Sequence, residues 1–302
     1  TSFTHGSTLR CAMDNHRERN LRDSLTRLGR IARSKPLGSI GGFVVLILVL
    51  FALLAPVIAT ADPVAQDANS ILLAPGPNHW LGTDNLGRDL WSRIAHGAGI
   101  SLGVGFSSIA LGSVFGGFAG LIGGYYGKLA DAMLQQLSDA VMAFPTLVLA
   151  LGIVAILGAS VMNVIVAIAL VQAPRAARVV RSQTLAIKST EYVAASKLVG
   201  QGSMQIMIRH VIPHCLAPFI VISTNALGVA IVLEASLSFL GLGIPAPEPS
   251  WGGMLAGPGR DYFNVAPWMA IWPGLAISLS VYGFNLLGDA LRDVLDPHQK
   301  LL

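Results

Sequence analysis

Charged side chains are scarce in this 302-residue sequence, where Asp, Glu, Lys and Arg together make up only 12% of the residues. A soluble domain carries about twice that share, roughly 25%. Because 53% of the residues are hydrophobic, both a soluble globular protein and an intrinsically disordered chain are excluded. The formal net charge is only +4, so nothing indicates a nucleic-acid partner.

Several chemical motifs are also missing. The two cysteines, Cys11 and Cys215, lie far apart, which predicts neither a disulfide framework nor a zinc knuckle. The chain has no G-x-x-x-x-G-K-[ST] segment to hold nucleotide phosphates, and no H-E-x-x-H or G-x-S-x-G motif. We therefore expect no catalytic residue, no bound cofactor and no metal site in the chain itself.

Long stretches without charge are abundant. Since a membrane-spanning helix needs about 20 apolar residues, each such stretch is a candidate span. The stretch 140–174 is too long for one span, and we predict that Gly158 breaks it into two helices, 131–157 and 161–180. The sequence thus predicts an all-α membrane protein with six spans. The uncharged stretches cover residues 36–61, 97–127, 140–174 and 262–288, and the stretch 210–247 contains a single charge, Glu234.

The positions of Lys and Arg predict the orientation. With the N-terminus inside, 17 of the 20 basic residues fall in segments 1–35, 128, 175–212 and 289–302, and only three fall outside. An excess of basic residues marks the cytoplasmic side, so both termini should be cytoplasmic. The expected parts are a basic tail (1–35), a first span (36–61), an external loop (62–96) and a five-span core (97–302) with a cytoplasmic loop at 181–213. The tail either anchors this orientation or also binds anionic lipid.

Glycine recurs at every fourth position of the second span, so these glycines form a row without side chains along one face of a helix. Such rows let two helix backbones approach closely in a membrane. The row serves either packing within the chain or a seam with a second subunit. Its members are Gly112, Gly116, Gly120 and Gly124.

Glu234 is the single acidic residue well inside a predicted span. An intramembrane carboxylate is a candidate functional group by default. It could relay protons, contact a substrate or hydrogen-bond a neighbouring helix. The first role would make the chain a stand-alone, proton-coupled secondary transporter.

The cytoplasmic loop carries clear helix boundaries. Thr190 can cap a helix with Glu191 in its first turn, residues 192–199 favour a helix, and Gly200 can end it. Ser203 can cap a second helix, which we expect to end at Pro213. The small residues on the first helix suit insertion into a groove of another protein. They are Ala194, Ala195 and Ser196.

This cytoplasmic loop resembles a motif of a known protein family. Residues 191–214, EYVAASKLVGQGSMQIMIRHVIPH, resemble the EAA loop of ABC-importer permeases, in which E-A-A is followed by glycine and, thirteen residues later, by proline. Ala194 stands where the motif has glutamate, and His210 stands where it has isoleucine. Both departures are typical of the peptide-importer branch. The motif positions are filled by Ala194, Ala195, Ser196, Gly200 and Pro213.

Three more stretches, 79–102, 233–255 and 283–297, resemble the C-type permease subunit of dipeptide, oligopeptide and nickel importers. The resemblance implies a type I ABC-importer permease fold in the bacterial inner membrane. It also implies a homologous second permease, two cytoplasmic P-loop ATPases that bind ATP-Mg, and an external substrate-binding protein. The implied cargo is a dipeptide, an oligopeptide or a similar small solute, with glutathione and a nickel chelate as alternatives. The residues expected to couple to the ATPases are Glu191, Tyr192, Ala194, Ala195, Ser196, Gly200, His210 and Pro213.

External polar residues are candidates for docking the binding protein or for a gate. The alternative is that they pair with one another inside a solvated loop, Arg88 with Asp89 in particular. The candidates are Asp84, Arg88, Asp89, Arg93, Trp251, Arg260 and Asp261.

Overall fold

The computed structural model describes residues 36–295, so the predicted basic tail lies outside the described part. Across those residues the regular structure is helical, apart from one isolated bridge between Thr83 and Asp89. The helices are α1 (Pro36–Leu53), α2 (Ala55–Ile58), α3 (Leu90–Tyr126), α4 (Lys128–Met142), α5 (Thr146–Leu157), α6 (Val161–Lys188), α7 (Glu191–Leu198), α8 (Ser203–Phe239), α9 (Trp251–Leu255), α10 (Pro258–Asp261) and α11 (Trp268–Leu295).

Five of these helices, α1, α3, α6, α8 and α11, are long and apolar enough to cross a membrane. The sequence predicts a single spanning helix over residues 131–157. The structure instead has two helices there, α4 and α5, which meet at an angle of 93°. Pro145 stands at the N-cap of α5 and disfavours a helical conformation at Phe144 before it. The polar α4 also carries Asp131 and Asp139, whose ion pairs with α6 keep it beside that helix.

The glycine row of α3 packs against α6 within the same chain, which settles the choice between the two roles considered for it. A Cβ atom added at the first three glycines would come within 2.1–2.6 Å of a backbone oxygen of α6. The residue numbers of the contacting positions increase in the same direction along both helices, so α3 and α6 run parallel. The contacts join Gly112 to Ala169, Gly116 to Ala173, Gly120 to Ala177 and Gly124 to Thr184.

Helices α8 and α11 pack through a reciprocal pair of N-x-x-G segments. Asn225 lies against Gly288, and Asn285 lies against Gly228, as expected for antiparallel helices. Helix α1 in turn packs on α11 through Gly38 and Gly41. In each contact the missing side chain makes room for a neighbouring helix, which is how helices approach closely in lipid.

The directions of the helices define two ends of the bundle. The loop end holds the last turns of α3 and α6, the helix α7 and the start of α8, and a satellite apolar cluster around Val193 fills it. The opposite end holds residues 79–90 and 240–267, packed over a second satellite cluster around Leu90 and Met269. The main apolar core lies between these ends.

Candidate functional site

Helix α7 at the loop end is closed by a glycine corner. Gly200 has φ = +85°, a conformation that side-chain-bearing residues rarely adopt. The amide of Gln201 donates to the carbonyl of Ser196 at 3.1 Å, and the amide of Gly200 donates to that of Lys197 at 3.0 Å. This hydrogen-bond pattern is a Schellman motif, so the predicted glycine stop is confirmed with its geometry.

The cap at the other end of α7 differs from the expectation. Thr190 is the N-cap residue, but its hydroxyl donates back to the carbonyl of Ile187 at 2.6 Å and makes no side-chain cap bond. Similarly, Gly202 and not Ser203 stands at the N-cap of α8. The hydroxyl of Thr190 therefore ties the new helix to the last turn of α6.

Pro213 does not end the second helix, contrary to the prediction. Helix α8 runs on to Phe239, and a π-turn at Met207–Val211 lies just before the proline. The amide of Ile212 donates to the carbonyl of Met207, five residues earlier. A proline inside a helix lacks one donor and crowds the preceding turn, and a wider turn next to it relieves that conflict. The loop is thus continuous with a membrane helix.

One side of α7 is anchored to the bundle. Val193 is fully buried, and it belongs to the cluster at the loop end together with Leu121 of α3, Val180 of α6 and Ile206 of α8. The Nζ atom of Lys188 donates to the carbonyl of Tyr125. Val193 therefore joins α7 to an apolar cluster that three membrane helices share.

The other side of α7 faces away from the protein. Leu198 and Val199 are 90% and 83% exposed, and Tyr192 is also exposed. The Tyr192 ring lies 5.8 Å from the ring of His210, and the hydroxyl of Ser196 lies 3.5 Å from His210 Nε2. Of the other predicted coupling residues, those that are exposed at this surface are Glu191, Ala194, Ala195, Gly200 and Pro213.

At the opposite end, the acidic and basic candidates are mostly inside the protein. Asp84, Asp89 and Arg93 are buried, and Arg88 pairs with Asp84 at 2.6 Å and not with Asp89 as expected. Arg93 adds a longer contact of 3.7 Å to the same carboxylate. The geometry thus favours internal pairing for these four residues over a docking surface.

Asp89 has a separate structural role. Its side chain caps α3 by accepting from the amide of Ser92 at 2.9 Å, and it also contacts His79 Nδ1 at 3.0 Å and the hydroxyl of Thr60 at 3.0 Å. Burial alone would raise the pKa of this carboxyl, but these hydrogen bonds outweigh it and lower the pKa. Asp89 therefore stays ionised at neutral pH and orders the start of α3.

Trp251 is fully buried at the start of α9. Its indole N–H donates to the carbonyl of Ile94 at 3.1 Å, and its amide donates to the hydroxyl of Ser101 at 3.2 Å. Beside it, Gly252 lies against the backbone of Ala235. Trp251 thus fixes the segment 240–267 against α3 and α8 and offers no surface to a partner.

Glu234 lies under this segment, only five residues before the end of α8. The hydroxyl of Ser238 donates to Glu234 Oε1 at 2.9 Å, and Ser101 and Ser250 are the other polar side chains beside the carboxyl. Ser250 also caps α9. Glu234 is fully buried beside these hydroxyls, and its second carboxylate oxygen, Oε2, has no hydrogen-bond partner among the described residues.

Arg260 and Asp261 differ from the other candidates at this end. They are exposed, at 69% and 59% of their side-chain area, and they contact each other at 3.2 Å. They lie on the short helix α10, and both side chains are open to a partner protein.

Comparison with known proteins assigns the family. Residues 112–301 match the family described as the binding-protein-dependent transport system inner membrane component, and residues 26–75 match the N-terminal transmembrane domain of oligopeptide transport permease C. The dipeptide transport system permease protein of Alkalihalophilus pseudofirmus is 41% identical over 268 residues, or 89% of this chain and 88% of the relative. The di/tripeptide permease protein of Pseudomonas aeruginosa is 43% identical over 270 residues, or 87% and 89%. The glutathione permease protein of Pectobacterium atrosepticum is 41% identical over 260 residues, or 86% of each.

The chain belongs to this family of ABC-importer permeases. It is therefore a multi-pass inner-membrane permease subunit and not a catalytic one, and ATP hydrolysis lies in separate subunits. Membership also implies ATPase and binding-protein partners. The similarity gives no support to a stand-alone secondary transporter that uses Glu234.

Some residues that stabilise each end of the permease cannot be identified from the sequence alone. Val193, which anchors α7, is one of them, because the motif next to it draws attention to Ala194, Ala195 and Ser196 instead. Ser101 and Ser250, the hydroxyl residues beside Glu234, are also missed. Ser250 carries a detectable pattern, since it is a helix-capping residue directly before the apolar segment that starts at Trp251.

Proposed function

We propose that this permease forms half of the path for short peptides in an importer built from two homologous permeases and two ATPases that bind ATP-Mg. An external binding protein delivers the peptide, and lipid surrounds the remaining helix faces. All three relatives reported above are named for dipeptides, di/tripeptides or glutathione, which supports short peptides as cargo over nickel chelates.

We further propose that both termini and the coupling loop are cytoplasmic. Helix α1 begins and α11 ends at the loop end, which agrees with the excess of Lys and Arg predicted there. The same orientation places Arg260 and Asp261 outside, where they are the accessible pair for docking the binding protein.

The coupling proposal rests on the difference between the two sides of α7, one exposed and one buried. Leu198 and Val199 are exposed next to a fixed glycine corner, while Val193 is packed onto three membrane helices. When the ATPases close on ATP, a pair of such helices is drawn together, and the attached spans rotate as rigid bodies. The segment 191–213 then transmits the motion.

Site-directed cross-linking in the assembled complex tests this contact. We expect that Leu198→Cys is captured on an ATPase subunit by a short thiol cross-linker. Val265→Cys, an exposed apolar position at the opposite end, is the matched control and should give no ATPase adduct. The unsubstituted chain, with Cys11 and Cys215, sets the background. An equal yield of ATPase adduct at both positions would contradict the proposal.

A further inference from the structure

A small recess with both polar and apolar lining residues opens between α3, α6 and α8. It has a volume of about 100 Å³, and the polar residues that line it are Ser113, Gln172, Arg175 and Asn225. Apolar side chains such as Ile222 and Val229 complete its wall. No sequence motif marks this recess, because its residues come from three separate helices.

The recess lies several turns inside three long helices. Ser113 stands thirteen residues before the end of α3, and Arg175 stands thirteen residues before the end of α6. Asn225 stands thirteen residues after Ile212, where the α-helical part of α8 begins. At a rise of about 1.5 Å per residue, Ser113 and Arg175 lie about 20 Å from the loop ends of their helices, and Asn225 lies about 20 Å beyond the π-turn of α8.

Gln172 is the least satisfied of the lining residues. Its side chain is only 4% exposed, and neither its amide nitrogen nor its amide oxygen has a hydrogen-bond partner. A buried amide without partners is unfavourable unless something completes its hydrogen bonds. The side chain therefore has one free donor group and one free acceptor at the wall of the recess.

Arg175 is the charged group of the recess. The next arginines along α6 are occupied, since Arg178 pairs with Asp139 and Arg181 pairs with Asp131. Across residues 36–295, no acidic side chain forms an ion pair with Arg175, and its side chain is exposed. An exposed guanidinium on a membrane helix is unfavourable against lipid, which favours water or an anion as its neighbour.

We infer that this recess is a carboxylate site on the translocation path and that it takes the C-terminal carboxylate of the peptide in transit. The inference rests on the proposed function and adds a contact between permease and cargo. Arg175 offers the planar pair of donors that suits a carboxylate, and the amide groups of Gln172 and Asn225 add further donors. The recess has room for a carboxylate but not for a peptide, so the side chains of the cargo stay outside it. Such a site recognises a feature that every short peptide shares.

The test uses the complete importer in proteoliposomes, with a dipeptide and its C-terminal amide as the two probes. Each is supplied at a concentration that occupies the binding protein equally, so that any remaining preference belongs to the permease. We expect that Arg175→Gln lowers the ratio of dipeptide to amide uptake by about tenfold, since a charge-assisted pair is lost. Arg175→Lys should retain most of the ratio. The matched control Arg178→Gln should leave the ratio unchanged.

Three outcomes would overturn the inference. One is an unchanged ratio in Arg175→Gln with normal uptake. Another is the loss of the second permease from purified Arg175→Gln and Arg175→Lys complexes, because Arg175 would then pair with an acid of that subunit. A third is equal loss of uptake for both probes, which would indicate a purely structural role. If the unsubstituted importer takes up neither probe, the proposed function itself fails.

Discussion

At the scale of single residues, Gly200 is the position where backbone conformation and proposed function meet. Its φ of +85° closes α7, and across residues 36–295 no atom beyond its chain neighbours lies within 4 Å of the place where a Cβ atom would be. The constraint is therefore conformational and not steric within the permease. Asparagine tolerates such a conformation better than alanine does.

We predict that Gly200→Ala lowers coupled uptake more than Gly200→Asn does. The substitution by alanine should cost about 1–2 kcal/mol in the local conformation of the corner. Gly202→Ala is the matched control, since Gly202 is nearby and equally open but has φ = −68°. ATP-dependent peptide uptake, measured at equal amounts of assembled complex, checks the order. Similar uptake for all three variants would show that the corner has no coupling role.

A second residue-scale prediction concerns Glu234. Glu234→Gln keeps an acceptor for Ser238 and should retain folding and at least part of the uptake. Glu234→Ala removes that acceptor from a fully buried cluster and should destabilise the permease by about 1–3 kcal/mol. Thermal unfolding in detergent measures the difference, with Ser236→Ala, which alters a more exposed hydroxyl near the end of α8, as the control. Complete loss of uptake by a stably folded Glu234→Gln would favour a chemical role for the carboxylate.

At the scale of elements, the glycine row of α3 determines how closely α6 can approach. The row can be found in the sequence because a four-residue period is a property of the helix itself. Its partner cannot, since the residues of α6 that face it lie about sixty positions away. The bend between α4 and α5 escapes prediction for a related reason, because the uncharged stretch after residue 140 conceals the turn at Pro145.

We predict different effects for two glycine-to-alanine substitutions in α3. In Gly116→Ala the new Cβ atom would lie 2.1 Å from the carbonyl oxygen of Ala173, and forcing the helices apart should cost about 1–3 kcal/mol. A methyl group at Gly103 would meet no atom within 4 Å, so Gly103→Ala should be neutral or slightly stabilising. The midpoint of thermal unfolding distinguishes them. Equal midpoints for the two variants would mean that α3 and α6 are not packed this closely.

At the scale of the whole molecule, the two ends of the permease differ in which side chains they expose and which they bury. The loop end presents an exposed apolar surface on α7 above a buried cluster that joins α3, α6 and α8. The opposite end is sealed by buried groups, with Trp251 and Glu234 under α9 and with Asp84 paired to Arg88. Under the coupling proposal, a movement of α7 would displace several spans together, because the buried cluster joins them directly.

How much of this can be foreseen depends on whether a contact is local. The family motif, the glycine corner and the number of hydrophobic stretches all come from residues that are close in the sequence, and they are predictable. The partner of Arg88, the surroundings of Glu234 and the recess at Arg175 all depend on how distant segments fold together. A single sequence contains no measure of that arrangement.

The most direct test of the central claim is peptide uptake into proteoliposomes that contain either this permease alone or the permease with its ATPases, second permease and binding protein. We predict that the permease alone transports nothing, even with a proton gradient. The complete assembly should accumulate peptide in strict proportion to ATP hydrolysis. Uptake by the permease alone, driven by a proton gradient and independent of ATP, would contradict the account.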